Sequence, residues 1–136
     1  EVRIAMQHIM QKKCAVFRTH ELISSGIEEF TVVENSMDNI DVKDKSLIFN
    51  TDLSEALELH NLMVQSKITL HSALNRKESR GAHAREDYTE RDDTNWLVHS
   101  LAWLDNKGEV KLGNRPVHMN TLTNHVQSIP PKKRVY

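Results

Sequence analysis

The 136 residues hold 18 Lys plus Arg against 19 Asp plus Glu, a formal charge of −1, so no global field favours nucleic acid or an anionic membrane surface. That length suits one domain that buries roughly two-thirds of the surface its unfolded chain would expose. The single cysteine, Cys14, excludes an internal disulfide and suits a reducing compartment, and no apolar run approaches the ~18 residues of a membrane span.

Val2, Met6, Ile9, Val16 and Phe17 recur at three- and four-residue steps, which predicts a first helix from Val2 to Phe17. The chain opens on Glu1, already inside this pattern, and reads as a piece of a longer protein. A second helix follows Thr19, whose hydroxyl can cap it, with Ile23, Ile27, Phe30, Val33 and Met37 on its apolar face. It carries Gly26 at a cost of about 1 kcal/mol relative to Ala. Residues 38–50 interleave Asp, Asn and Lys with isolated apolar side chains and read as a connection.

The third helix is the longest, capped by Asn50, Thr51 or Asp52 and running from about Leu53 to Gly81, which would end it in a left-handed turn. Leu53, Ala56, Leu57, Leu59, Leu62, Met63, Val64, Ile68, Leu70, Ala73 and Leu74 spread over about two-thirds of its circumference at ~100° per residue, more than one core face requires. Such a helix needs neighbours on more than one side. After it, Trp96 to Val117 predicts two short strands joined at Asp105 to Gly108. The tail from Thr121 to Tyr136, with Pro130, Pro131 and the Lys132, Lys133, Arg134 cluster, is expected to run extended. The fold class is therefore mainly α: a three-helix bundle over residues 1–80, then an extension over 81–136 that packs its β-hairpin on the bundle.

Eight histidines raise a metal hypothesis that their spacing does not support. His60 and His71 are eleven residues apart, roughly 16 Å along a helix, and there is neither an HExxH pattern nor a thiolate cluster. Cys14 has no sequence-adjacent base and reads as a packing thiol. Gly26, Gly81, Gly108 and Gly113 are scattered singly, which excludes a phosphate-cradling loop.

What stands out is RKESRGAHAREDYTERDD, residues 76–93, with five positive and six negative side chains among eighteen. Its near-cancelling charge argues against phosphate recognition. Arg76, Arg80, Arg85 and Arg91 supply planar donors, and Glu78, Glu86, Asp87 and Asp92 supply carboxylates for bidentate pairs. Such a set suits a polar domain interface.

The run RKESRGAHAREDY, the following ERDD and the tryptophan of DDTNW resemble the C-terminal part of the flavoprotein subunit in the succinate dehydrogenase and fumarate reductase family. MQKKCAVFR, NTDLSEALELHNLM, NRPV and the ending PPKKRVY extend the resemblance over the whole chain, in its alpha-proteobacterial form. Asn75 stands where many members have Ala, and Trp103 where Tyr is expected. L-aspartate oxidase shares only a shorter ESRG-and-His pattern.

The resemblance implies a complex that oxidises succinate to fumarate at FAD and passes electrons through an iron–sulfur subunit to quinone, at the cytoplasmic face of a bacterial inner membrane. It also implies that the FAD fold and the catalytic side chains precede this region, so no catalytic residue, cofactor ligand or metal ligand is assigned here. The helical part would be a spectrin-repeat-like three-helix bundle whose partners are the FAD-binding domain of the same subunit and the iron–sulfur subunit, with no nucleic acid and no membrane insertion. Candidate interdomain residues are Arg76, Glu78, Arg80, Gly81, His83, Arg85 and Asp87. The alternatives are a free-standing helical adaptor, which the reading frame upstream of Glu1 would distinguish, and the corresponding domain of a fumarate reductase or an L-aspartate oxidase.

Overall fold

A computed structural model describes residues 1–132, so Lys133, Arg134 and Tyr136 of the expected tail lie outside the described residues. Three helices, α1 (Val2–Lys13), α2 (His20–Glu34) and α3 (Thr51–Asn75), precede an antiparallel hairpin of β1 (Val98–Leu104) and β2 (Val110–Pro116). The chain is mainly helical with one small hairpin.

α1 buries Met6 and Ile9 and stops at Cys14, whose backbone N–H reaches the Met10 carbonyl. It does not reach Phe17 as the apolar spacing predicts, and Val16 and Phe17 are exposed. The cap of α2 and the pairing of Arg18 rule out another helical turn. Thr19 must be extended (φ −127°, ψ 165°) for its Oγ1 to accept from the Leu22 N–H and cap α2. Arg18 lies alongside Arg85 as an isolated parallel bridge, its carbonyl accepting from the Glu86 N–H at 2.8 Å.

α2 turns Ile23, Gly26 and Phe30 inward. Gly26 is more than a tolerated defect: a Cβ there would lie 2.7 Å from the Lys13 Cβ and 3.4 Å from Leu70 Cδ2, so the bare backbone is what lets α1 approach α2. A 3-10 turn, Asn35–Asn39, continues from α2 and holds Met37 against the core.

In the connection, Asn50 closes the 44–46 turn with its amide and caps α3 with its carbonyl oxygen, which accepts from the Leu53 N–H at 2.8 Å. Just before it, Leu47, Ile48 and Phe49 are almost fully solvent-exposed, and Phe49 has φ 50°.

α3 buries Leu59, Met63, Ser66, Leu70 and Ala73, while Leu53, Leu57, Leu62 and Val64 remain partly exposed, as its wide apolar arc predicts. His60, placed within that arc by its phase, is exposed. The core is continuous across the three helices: Met6, Ile9, Cys14, Ile23, Phe30, Leu59, Met63, Leu70 and Ala73. Burial pushes the Cys14 thiol pKa up, with Arg18 opposing it, so the group stays a protonated packing element.

α3 ends at Asn75, six residues before Gly81. Gly81 (φ 59°) instead takes a central position of the tight turn in which Arg80 and His83 exchange backbone hydrogen bonds of 2.8 and 3.1 Å. In the hairpin, Val98 pairs with Pro116 and Leu104 with Val110. The Asp105 carbonyl accepts from Gly108, and its Oδ1 accepts from the Lys107 and Glu109 N–H groups. Both strands pack on α3. Residues 117–132 form neither helix nor strand and are exposed apart from the half-buried Val117.

Candidate functional site

The charged run folds back on its own chain. Glu78 is fully buried (0% exposed), and its carboxylate accepts from Arg76 Nη1, from Arg80 Nε and Nη2 at 2.8 and 3.0 Å, and from the Asp92 N–H at 2.9 Å. Desolvation pushes its pKa up, but the donors, led by Arg80, outweigh it and hold the carboxyl below its usual range. Arg80 Nη2 also donates to Asp93 Oδ1 at 2.6 Å, and Arg91 pairs with the same carboxylate.

Arg76 ties this knot to the hairpin. Its guanidinium donates to the Trp96 and Val98 carbonyls and to Ser100 Oγ, and it stacks 5.3 Å above the Trp96 ring.

Arg85, 1% exposed, does the corresponding work at the end of α3. Its Nη1 donates to the carbonyls of Ala73, Leu74 and Arg76, groups that a helix end leaves unpaired. Nε and Nη2 form a fork on Asp87 at 2.7 and 2.6 Å. Asp87 Oδ2 also accepts from the His20 N–H at the start of α2. The Arg85 fork, with help from His20, holds the Asp87 pKa down at about 2.

His83 sits between these knots. Its Nδ1 lies 2.8 Å from Arg18 Nη1, and a guanidinium can only donate, so Nδ1 accepts and the proton is on Nε2, which donates to the Arg76 carbonyl. Burial first, then the charges of Arg18, Arg85 and Arg76, keep its pKa low, against the pull of the Arg76 carbonyl; the ring is neutral.

All seven sequence candidates lie in or beside this network, with Gly81 at its exposed tip. Glu78 and Arg85 spend their side chains inside the chain, and Arg76 and Arg80 are largely occupied there too. The network also takes in Arg18, Trp96, Ser100 and the His20 N–H, which spacing alone does not reveal because their approach depends on tertiary folding.

Two open clefts flank the network. One, of about 300 Å³, is lined by Arg18, Ile68, Thr69, Ser72, Arg76 and His83 among others. The second, of about 570 Å³, runs from Arg76, Arg80 and His83 past Trp96 and His99 to Met119 and Pro131. Among the described residues no group of three His, Cys, Asp or Glu side chains is placed to hold a metal ion, and no helix is long and apolar enough to cross a membrane.

The family model for the fumarate reductase flavoprotein C-term matches residues 3–136. The mitochondrial succinate dehydrogenase [ubiquinone] flavoprotein subunit of Oryza sativa subsp. japonica is 52% identical over all of this chain and 21% of its own length. The Rickettsia bellii succinate dehydrogenase flavoprotein subunit is 49% identical over all of this chain and 23% of its own. A solved E. coli quinol fumarate reductase FrdA chain superposes with a TM-score of 0.86 at 37% identity, covering 99% of this chain and 22% of that one. The chain thus spans about a fifth of the length of the curated relatives it matches. A match from the third residue to the last, agreeing with the fold and with the run at 76–93, shows that the chain belongs to the fumarate reductase flavoprotein C-terminal family.

Proposed function

We propose that this chain serves as the C-terminal domain of a succinate dehydrogenase flavoprotein subunit, in which succinate is oxidised to fumarate at FAD and electrons leave through an iron–sulfur subunit toward quinone. The observation that carries this reading is the 52% identity to a flavoprotein subunit over the full chain, against 38% for the E. coli fumarate reductase subunit. On this reading a spectrin-repeat-like bundle, residues 1–80, carries an extension, residues 81–136, and the assembly lies at the cytoplasmic face of a bacterial inner membrane.

The residues described do not fit FAD. Gly26 serves a helix crossing, Gly81 and Gly108 serve turns and Gly113 lies in β2 under Trp103, so no glycines combine into a phosphate cradle. The role of the chain is architectural. Its internal ion-pair network fixes the loop 76–93 as a rigid edge, and Gly81, Ala82 and Ala84 at the exposed tip, beside Arg80 and His83, address the FAD-binding domain.

A chimera tests this. Replacing the matching C-terminal fifth of the Rickettsia bellii subunit with residues 1–136 should preserve bound flavin and succinate-dependent dye reduction in the assembled complex. A chimera that folds but neither assembles nor reduces dye would refute the reading.

A further inference from the structure

The ion pairs of the network leave one arginine without a carboxylate. Arg76 and Arg80 share Glu78, Arg80 and Arg91 share Asp93, and Arg85 takes Asp87. Arg18, by contrast, spends Nε on the Ala15 carbonyl at 2.7 Å and Nη1 on neutral His83, and among the described residues no carboxylate lies within ion-pair distance of it. Arg18 also lines the smaller cleft, together with the hydroxyl-bearing Thr69 and Ser72. That cleft meets the larger one at Arg76, His83 and Ser100, and among the described residues no Asp or Glu lines either.

From this we infer that the joined groove is a docking site for an extended, acidic polypeptide segment, with one carboxylate seated on the free edge of Arg18. A polypeptide fits better than a small anion for two reasons. The groove is open and long, running from Arg18 to Pro131 through about 300 and 570 Å³. Its lining also combines cations (Arg18, Arg76, Arg80) and His99 with apolar side chains (Ile68, Leu97, Val117, Met119), which suits a segment carrying both acidic and apolar side chains rather than a bare anion. Neutral His83 completes the device: as an acceptor for Nη1 it orients the guanidinium without cancelling its charge. That the segment comes from the flavin-binding part of the same subunit rests on the function proposed above; its acidic character rests on the arginine left without a carboxylate.

A hexaglutamate peptide titrated calorimetrically into the 136-residue chain at low salt is the probe. Binding should weaken about tenfold or more in Arg18→Gln and less than about twofold in Arg115→Gln, an exposed arginine of β2 outside both clefts. Thr69→Glu, which places a carboxylate in the groove, should abolish binding while keeping the wild-type circular dichroism, and it decides the matter if Arg18→Gln does not fold. No peptide binding, equal losses in the two arginine variants, or undiminished binding in Thr69→Glu would overturn the proposal. Free glutamate binding as tightly as the peptide would overturn the polypeptide occupant. An active chimera alongside a silent titration would sink the groove and leave the family function standing; peptide binding alongside an inactive chimera would do the reverse.

Discussion

Arg85 holds Asp87 by a two-pronged fork at 2.7 and 2.6 Å while its remaining nitrogen, Nη1, closes the end of α3 on the Ala73 and Leu74 carbonyls. One buried side chain therefore joins the C-terminus of α3 to the start of α2, because Asp87 in turn accepts from the His20 N–H.

Replacing Arg85 with Ala should destabilise the chain by about 3 to 5 kcal/mol, since it strands a carboxylate and several carbonyls at once. Arg85→Lys should recover little of this, because an ammonium lacks the planar fork. Urea melts of the two variants check it; a loss below about 1 kcal/mol for the alanine variant would show that the fork is not structural.

Glu78→Gln should be similarly severe, because two guanidinium groups lose their shared carboxylate in a fully buried position. Arg80→Ala, with Glu78 and Asp93 both inside the chain, should be costly in these 136 residues alone. Thermal melts in which Arg80→Ala is silent here would return that side chain to a surface role.

Acid should destabilise the chain over two pH ranges. His83 has a lowered folded pKa, so its contribution is complete above its unfolded value of about 6.5 and is lost as pH falls below that value toward the folded one. Asp87, depressed to about 2, contributes fully above its unfolded value near 3.9 and loses that contribution as pH falls toward 2. Melting temperature should therefore fall less steeply through mildly acidic pH in His83→Gln, where His71 also contributes, and less steeply through strongly acidic pH in Asp87→Asn, where Glu78 and Asp93 also contribute. Unchanged slopes would contradict these assignments.

Gly26→Ala sets helix propensity against space. Alanine gains about 1 kcal/mol in a helix interior, but the new Cβ would meet Lys13 Cβ at 2.7 Å, and such overpacking costs about 1 to 3 kcal/mol. The net should be destabilising; a raised melting temperature would mean that α1 and α2 separate freely.

The existence of the three helices, the Thr19 cap, Asn50 as one of three candidate caps of α3, and the Asp105–Gly108 turn are legible in the sequence because each depends on residues within a few positions of one another. The end of α3 is not. Gly81 offers the local stop signal, yet the helix stops at Asn75 because Arg85, ten positions downstream, supplies the donors its last carbonyls need. Composition singles out the interface candidates as a group, but it cannot separate those that serve the chain's own interior, Glu78 and Arg85, from those near its surface. Arg18 is silent in the sequence because its value comes from a histidine 65 positions away. Gly26 reads there as a cost, since its benefit lies in a helix crossing that periodicity does not encode.

The Arg18–His83 contact, closing 65 positions of chain, also bears on the order of folding. Pairing of α1 with α2 and of α2 with α3 joins segments adjacent in sequence, whereas residues 83–87 must dock on Arg18, on His20 and on the end of α3 together, which requires the bundle as a platform. The ion-pair knot should then be absent from the folding transition state. Substitutions at Arg85 or Asp87 would accelerate unfolding and leave the refolding rate nearly unchanged, making this late clasp the element that sets the lifetime of the native domain.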